Sequence, residues 1–210
     1  MQKSTSIRFE QLIKERKSVR DFQKSYTISQ EELYEIIRMA QTAPSAWNLQ
    51  HWKVIVIQDP KQKEMLLPIA NDQQQVVSAS AVFIILGDLE ADKNIDGVYL
   101  PLVHSGVMSE AVFSHIAKDI EEEYERRNYK SRDSAFLNAS LFAMQLMLAA
   151  KSIGYDTVPM GGFDADRLIH TLHIPDRYIP IMMIPIGIAS RTAHVTTRIP
   201  LVDIVVHESF

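Results

Sequence analysis

Apolar residues recur at steps of three and four along much of the chain, and elsewhere they crowd into short β-branched runs. The first pattern predicts helices and the second predicts strands. Ile7, Leu12 and Ile13 stand among charges, which predicts a first amphipathic helix over residues 5–17. Ser29-Gln30-Glu31-Glu32 sets a hydroxyl three residues before a carboxylate, the signature of a capping box. It opens a second helix with Leu33, Ile36, Ile37 and Ala40 on its apolar side, and Pro44 ends it. Residues 61–70 read as helical, and two long helical patterns cover about 105–127 and 134–153. The second of these is apolar nearly all round, so it must be covered on every side; in a chain this small that points to a partner subunit. Gly154 follows it in the place favoured for a left-handed cap, and Asp164 to Leu172 predicts one more short helix. Strands are expected at Trp52–Ile57, at residues 81–86, buried on both faces, and at Ile181–Ile188, where Pro185 signals an interruption or an edge position. No repeat or low-complexity linker divides the chain, so 1–210 reads as one domain. The weakly alternating stretch from Arg198 to Phe210 is a candidate arm reaching toward a partner.

Composition narrows the function classes. The chain has 210 residues, 46% hydrophobic and 23% charged, which is ordinary globular usage with enough length for a substantial core. A net charge of −4 without a basic block argues against a nucleic-acid or membrane-surface partner. The absence of cysteine removes disulfides, thiolate nucleophiles and cysteine-ligated zinc, and fits a reducing compartment. Residues 1–17 lack the continuous apolar core of a secretory signal, and the expectation is a cytoplasmic protein. The most apolar stretch, Ala135 to Ala150, is short for a bilayer span and contains Asn138, Ser140 and Gln145, so it reads as a buried helix. No strand is followed by G-x-G-x-x-G or by a P-loop, which leaves a Rossmann or P-loop reading without support.

Three clusters carry candidate chemistry. Arg16-Lys17-Ser18-Val19-Arg20 packs two guanidiniums, an ammonium and a hydroxyl into five residues; the planar arginine fork suits phosphate. Ala43-Pro44-Ser45-Ala46-Trp47-Asn48-Leu49-Gln50-His51-Trp52 joins a helix stop to small polar groups and two tryptophans, as a planar heterocycle requires. Pro159-Met160-Gly161-Gly162-Phe163-Asp164 offers paired glycines whose backbone N–H groups approach a ligand closely. Taken singly, these read more readily as a solvated basic helix end, an ordinary helix-to-strand loop and a plain turn. Weaker features have bland readings. His170-x-x-His173 has no third ligand nearby, so no metal site is expected. Asp164 and Asp166 fit a helix cap, and Glu121-Glu122-Glu123 with Arg126 and Arg127 fits a solvated helix face.

Together, in this order, the three clusters resemble the FMN-dependent nitroreductase family. That family shows R-R-S-x-R after its first helix, A-P-S-x-x-N-x-Q-P-W before its first strand, and a late G-Y-D-T-x-P-x-G-G-[FY]-D. The last motif reads here as Gly154 to Asp164, and Ile184-Pro185-Ile186-Gly187 and Thr197-Arg198-Ile199-Pro200 also match. The likeness runs from about residue 8 to residue 206. It implies an α+β fold with a central, mostly antiparallel sheet flanked by helices, in an intertwined homodimer with FMN at the subunit interface. By position, Arg16 and Arg198 hold the phosphate, Lys17 and Ser18 line the phosphate and ribityl chain, and Arg20 faces the pyrimidine edge. Pro44, Ser45 and Asn48 come from the partner subunit, Gly161 and Gly162 sit by flavin N5, and Gln73 and Gln75 contact the ring. The resemblance implies NADH or NADPH as donor, in a ping-pong exchange with a small flat acceptor such as a nitroaromatic or quinone, and assigns the hydride chemistry to the flavin rather than to a side chain. Residues 100–130, with Phe113, Tyr124 and Tyr129, correspond to the region that covers the acceptor. Three positions depart from the pattern: His51 replaces a proline, Asp72 an asparagine, and Gln75 the lysine of some members. The same fold also serves dehalogenases, flavin destructases and azoline oxidases, and a non-catalytic flavin-binding dimer is a further reading.

Overall fold

The structure, a computed structural model, describes residues 9–126 and 132–210. Among the described residues eight α-helices run in chain order: α1 (Phe9–Glu15), α2 (Gln30–Ala40), α3 (Pro60–Leu66), α4 (Gln75–Ser78), α5 (Ile95–His104), α6 (Glu110–Arg126), α7 (Arg132–Ser152) and α8 (Ala165–Leu172). The strands are β1 (Trp52–Ile57), β2 (Ala81–Asp88), β3 (Asp156–Thr157) and β4 (Tyr178–Gly187). They form one sheet of order β1-β2-β4-β3 in which every pair is antiparallel.

Local chemistry explains most boundaries. Ser29 Oγ accepts from Glu32 N–H while the Glu32 carboxylate accepts from Ser29 N–H, so the expected capping box starts α2. Asp59 caps α3 and Pro60 occupies its first turn, where a missing N–H costs nothing. Gly154, at φ 98°, ends α7 in a conformation a side chain would strain. Asp164 caps α8 through Arg167 N–H at 3.0 Å.

Several expectations need correction. The first helix stops at Glu15 rather than continuing to 17, because the next residues extend to pair with β3; residues 5–8 of that expected helix lie outside the described residues. The helix expected over 61–70 ends at Leu66, and left-handed Asn71 and Asp72 turn the chain. The helix expected from 105 starts at Glu110, after a turn holding Gly106 at φ 72°; α5, which precedes it, was hidden by its own Gly97 and Pro101. β3 and α4 are too short for a periodicity to announce. Pro185 neither interrupts β4 nor marks the sheet's edge. Its carbonyl accepts from Val158 N–H at 3.2 Å, so the donor it lacks also faces the β3 side, where pairing covers two residues only.

The sheet carries a core on each face. Ala81, Phe83 and Ile85 of β2 point into a cluster roofed by α2 and α7, whereas Val82, Ile84 and Leu86 point into a second one closed by α3, α4 and α8. β2 is buried along its whole length, as expected. Each large side chain so buried contributes about 1.5–3 kcal/mol. Trp52 stacks on Phe142 with centroids 5.1 Å apart and ties β1 to α7. A third, smaller cluster joins Leu49 to Ala91, Ile95 and Ile120, and so seats α5 and α6 beside the sheet.

One stripe of α7 has no cover in the protomer. Leu137, Leu141 and Met144 remain 64%, 42% and 41% exposed at steps of four and three. Phe9 and Ile13 of α1 are exposed too, as are the large apolar side chains of the tail, among them Leu201, Val202, Ile204 and Phe210. No helix among the described residues is long and apolar enough to cross a membrane.

Candidate flavin and dinucleotide site

The basic run sits where α1 gives way to sheet. Arg16 N–H bonds to Leu12 O at 2.9 Å; Ser18 then pairs in parallel with Thr157, and Val19 N–H donates to Thr157 O at 3.1 Å. Buried Val19 and Phe22 fasten this extended stretch to the core. Side chains alternate along extended backbone. Lys17 and Val19 accordingly face a shallow 300 Å³ cavity shared with Lys151 and Arg191, which Arg16, Ser18 and Arg20 do not line. Lys17 is thus set apart from the other three polar residues of the run. Among the described residues, no carboxylate pairs with Arg16, Lys17 or Arg20, so their charge is open to an incoming anion. Arg198 lies in the exposed tail and donates to Thr196 Oγ1 and Thr197 O, its own neighbours.

The parallel pairing makes Ser18 and Arg20 advance in the same direction as Thr157 to Gly161. Met160 bridges to Met183, which delivers Gly161 and Gly162 at the end of this ribbon. There the turn after α3 meets them: Asn71 Nδ2 and Gln73 Nε2 donate to Gly162 O at 2.9 and 3.1 Å, and Gln75 Nε2 donates to Gln73 Oε1 at 2.9 Å. Gly161, Gly162, Gln73 and Gln75 therefore belong to one patch, with Gln75 buried beneath it. Asn71 joins them unforeseen; its residue type next to Asp72 was the available signal. Neither glycine has a positive φ. A Cβ at Gly161 would meet nothing within 4 Å, and one at Gly162 only Gln73 Nε2 at 3.9 Å. Backbone geometry and packing in the chain both permit a side chain at either position.

The remaining motif, Ala43 to Trp52, is anchored elsewhere in the protomer. Ala46 N–H donates to Asn138 Oδ1 at 2.8 Å near the start of α7, whereas Lys151, at its far end, lines the cavity beside Lys17. Thirteen residues of helix separate these anchors, about 20 Å at 1.5 Å per residue. The loop carrying Pro44, Ser45 and Asn48 is thus anchored toward one end of α7, and the cavity beside Lys17 lies at the other. Ser45 Oγ accepts from Gln50 N–H at 2.9 Å, and Trp47, Asn48 and Gln50 are left-handed at φ 52°, 52° and 51°. Non-glycine residues hold that conformation only where surroundings impose it.

The chain resembles known proteins throughout. The model of the Nitroreductase family matches residues 13–188. YodC of Bacillus subtilis (strain 168), an NAD(P)H nitroreductase by name, is 45% identical over 90% of this chain and 94% of its own. The CLA biosynthesis enone reductase of Lactiplantibacillus plantarum is 34% identical over 87% and 86%. A nitroreductase-titled protein from Exiguobacterium sibiricum 255-15, solved in complex with FMN, superposes with a TM-score of 0.91 at 34% identity, covering 96% of this chain and 97% of that one. The chain belongs to the nitroreductase family. Its α+β fold, with the antiparallel sheet between helical layers, is the nitroreductase fold.

Within that family the departure at residue 51 has a structural setting that the sequence did not signal. His51 is buried, 1% exposed, with Nε2 2.9 Å from Tyr124 Oη and Nδ1 without a partner among the described residues. Burial lowers its pKa to about 4, against a weaker upward pull from Asp88. Asp88 is buried and clamped by Arg177, whose Nε and Nη2 reach Oδ1 and Oδ2 at 2.8 and 2.7 Å. Arg177 Nη2 also donates to Asn94 Oδ1 at 2.8 Å. Burial likewise raises the Tyr124 hydroxyl, with Asp92 and Asp88 adding to the effect. Phe113 and Tyr124 pack on the third cluster, whereas Tyr129 lies outside the described residues. Asp72 is exposed at the turn and accepts from Gln74 Nε2 through its backbone carbonyl. Among the described residues no three metal-ligating side chains come together, His170 and His173 included.

Proposed function

We propose that this chain is an FMN-dependent oxidoreductase that works as a homodimer, taking hydride from NADH or NADPH and passing it to a small flat acceptor in a second, separate binding event. The observation that carries the reading is the glycine pair at 161 and 162, open where the chain itself has no need of glycine. A flat ring lying on the backbone is the kind of ligand that requires it. The donor set also suits FMN: unpaired arginines for a phosphate, glutamine amides for the polar edge of a flavin, and an exposed backbone turn for its reacting face.

When bound, FMN supplies the atom that accepts and releases hydride. The chain's own residues bind and orient. Arg16 would neutralise the phosphate and Ser18 hydrogen-bond it, with Lys17 and Arg198 contributing charge. Arg20 offsets negative charge at the pyrimidine edge, a task left to it because residue 75 is glutamine. Gln73 and Gln75 would hold the polar edge of the ring, and the open turn at Gly161 and Gly162 would give it a flat backbone to lie on.

The dimer rests on three features. The loop with Pro44, Ser45 and Asn48 is anchored at Asn138 of α7, about 20 Å along the helix from Lys151, which shares a cavity with Lys17 of the basic run. The stripe on α7 has no cover in one protomer, and burying the parts of Leu137, Leu141 and Met144 that remain exposed would gain about 0.6–2 kcal/mol each. β1 is an edge strand beside a 910 Å³ groove lined by Leu33, Ile37, Trp52 and Val54, a fitting seat for the apolar tail of a second copy. The enone reductase among the relatives adds α,β-unsaturated carbonyls to nitroaromatics and quinones as acceptor classes. The lack of cysteine fits the cytoplasm.

The test is the visible spectrum of the purified protein. The expected result is a yellow protein with an oxidised flavin band, bleached under anaerobic conditions by NADH or NADPH and restored by an acceptor. A colourless protein that takes up no added FMN overturns the reading.

A further inference from the structure

Residues 47, 49 and 51 are each held by the segment between β2 and α7. Tyr99 of α5 donates its hydroxyl to Trp47 O at 2.7 Å, Asn94 Nδ2 donates to Leu49 O at 2.9 Å, and Tyr124 of α6 meets His51 Nε2 at 2.9 Å. Leu49 is buried against Ile95 and Ile120 of the same segment. Asn94 in turn is fixed to the sheet, since its Nδ2 also reaches Asp88 Oδ2 at 3.2 Å and its Oδ1 accepts from Arg177. Between these grips the backbone is left-handed at Trp47, Asn48 and Gln50, none of them glycine. Such a run does not hold itself; the grips from α5 and α6 impose it. Asn48, at its centre, is exposed, and its side chain makes no hydrogen bond among the described residues.

His51 sharpens the point. Its Nδ1 is buried without a partner, so an apolar ring would fill the same space at lower cost. What the histidine adds over such a ring is the contact to Tyr124.

We propose that Tyr99, Tyr124 and His51 are positioning residues for the flavin: through them α5 and α6, the helices over the acceptor region, set the turn that presents Asn48 to the partner subunit's pocket. This rests on the FMN-dimer reading above. It makes the acceptor-side helices and the flavin-side loop a single mechanical unit.

The experiment is a titration of full-length apoprotein with FMN, followed by quenching of flavin fluorescence, alongside the melting temperature of each apoprotein. The variants are Asn48→Ala, Tyr99→Phe and Tyr124→Phe, each phenylalanine also combined with Asn48→Ala. Each phenylalanine alone is expected to raise the Kd for FMN about three- to ten-fold, equivalent to about 0.7–1.4 kcal/mol, the size of one hydrogen bond. In the Asn48→Ala background the same substitutions are expected to add little, because the amide they position is gone. An unchanged Kd in the phenylalanine variants, with Asn48→Ala weakening FMN, overturns this proposal alone. So does an undiminished effect in the Asn48→Ala background, which marks a loss of general stability. An unchanged Kd in Asn48→Ala removes the loop reading and the proposal with it. Tyr99 is half-exposed, so Tyr99→Phe carries the test should Tyr124→Phe fail to fold.

Discussion

Acidification should find His51 before it finds most of the molecule. The imidazole titrates near 6.5 in an unfolded chain and near 4 in the folded one, because burial disfavours its charged form. Below pH 6.5 the unfolded chain therefore takes up a proton that the folded chain refuses, and stability falls as the pH drops. With those two values the loss is about 1.4 kcal/mol by pH 5.5 and about 2.5 kcal/mol by pH 4.5, and it levels off once the folded form is protonated as well. The assay is urea unfolding at pH 7.5, 6.5, 5.5 and 4.5, at fixed protein concentration and saturating FMN, for the wild type and His51→Phe. The variant loses the Tyr124 contact, so its stability at pH 7.5 shifts by a constant. What matters is the slope: the wild type should lose about 2.5 kcal/mol more than His51→Phe between pH 7.5 and 4.5. Equal losses, within about 0.5 kcal/mol, would refute the claim that the folded state holds this histidine neutral.

Gly161→Ala should stabilise the apoprotein by about 0.4–1 kcal/mol, because the new methyl meets no atom and the unfolded chain loses freedom. It should at the same time weaken FMN binding, and thermal melts with and without FMN read both effects; an alanine that leaves FMN affinity untouched removes the case for a ring at this turn. Replacing Arg16 and Arg198 together by alanine should raise the Kd for FMN at least about ten-fold, since hydrogen bonds to charged groups contribute about 1.5–3 kcal/mol each. Titration of the apoprotein decides it, and retention of wild-type affinity shows that the phosphate lies elsewhere. Leu137→Asp with Leu141→Asp places two carboxylates on the open stripe of α7 and should shift the protein toward monomer in light scattering, with FMN lost in step; an intact dimer locates the subunit contact on another face.

The fold was legible wherever one residue type has one local meaning. Ser29 with Glu32, Gly154, and the unbroken apolar run of β2 each act within a few residues, and the structure bears them out. Legibility ended where meaning depends on distant partners. Pro185 looks like a breaker because its missing donor only becomes harmless beside a two-residue strand that lies 28 residues earlier in the chain. α5 went unseen because Gly97 and Pro101 outweigh a helical pattern when no packing is known. At the site, the order of the three motifs along the chain could not separate Lys17 from Arg16 and Ser18, a matter of alternation about the bridge to Thr157. Nor could it disclose the Asp88–Arg177 clamp or the burial of His51, which are produced by chain segments 40 to 90 residues apart.

The length of α7 between its two anchors has a thermodynamic consequence. If one pocket needs the basic end of one chain and the loop end of another, neither loading nor assembly is an independent equilibrium. By linkage, whatever factor FMN gains from a second subunit is returned as tighter association of the subunits. Dilution should then bleed flavin from the protein, and added flavin should rejoin the halves.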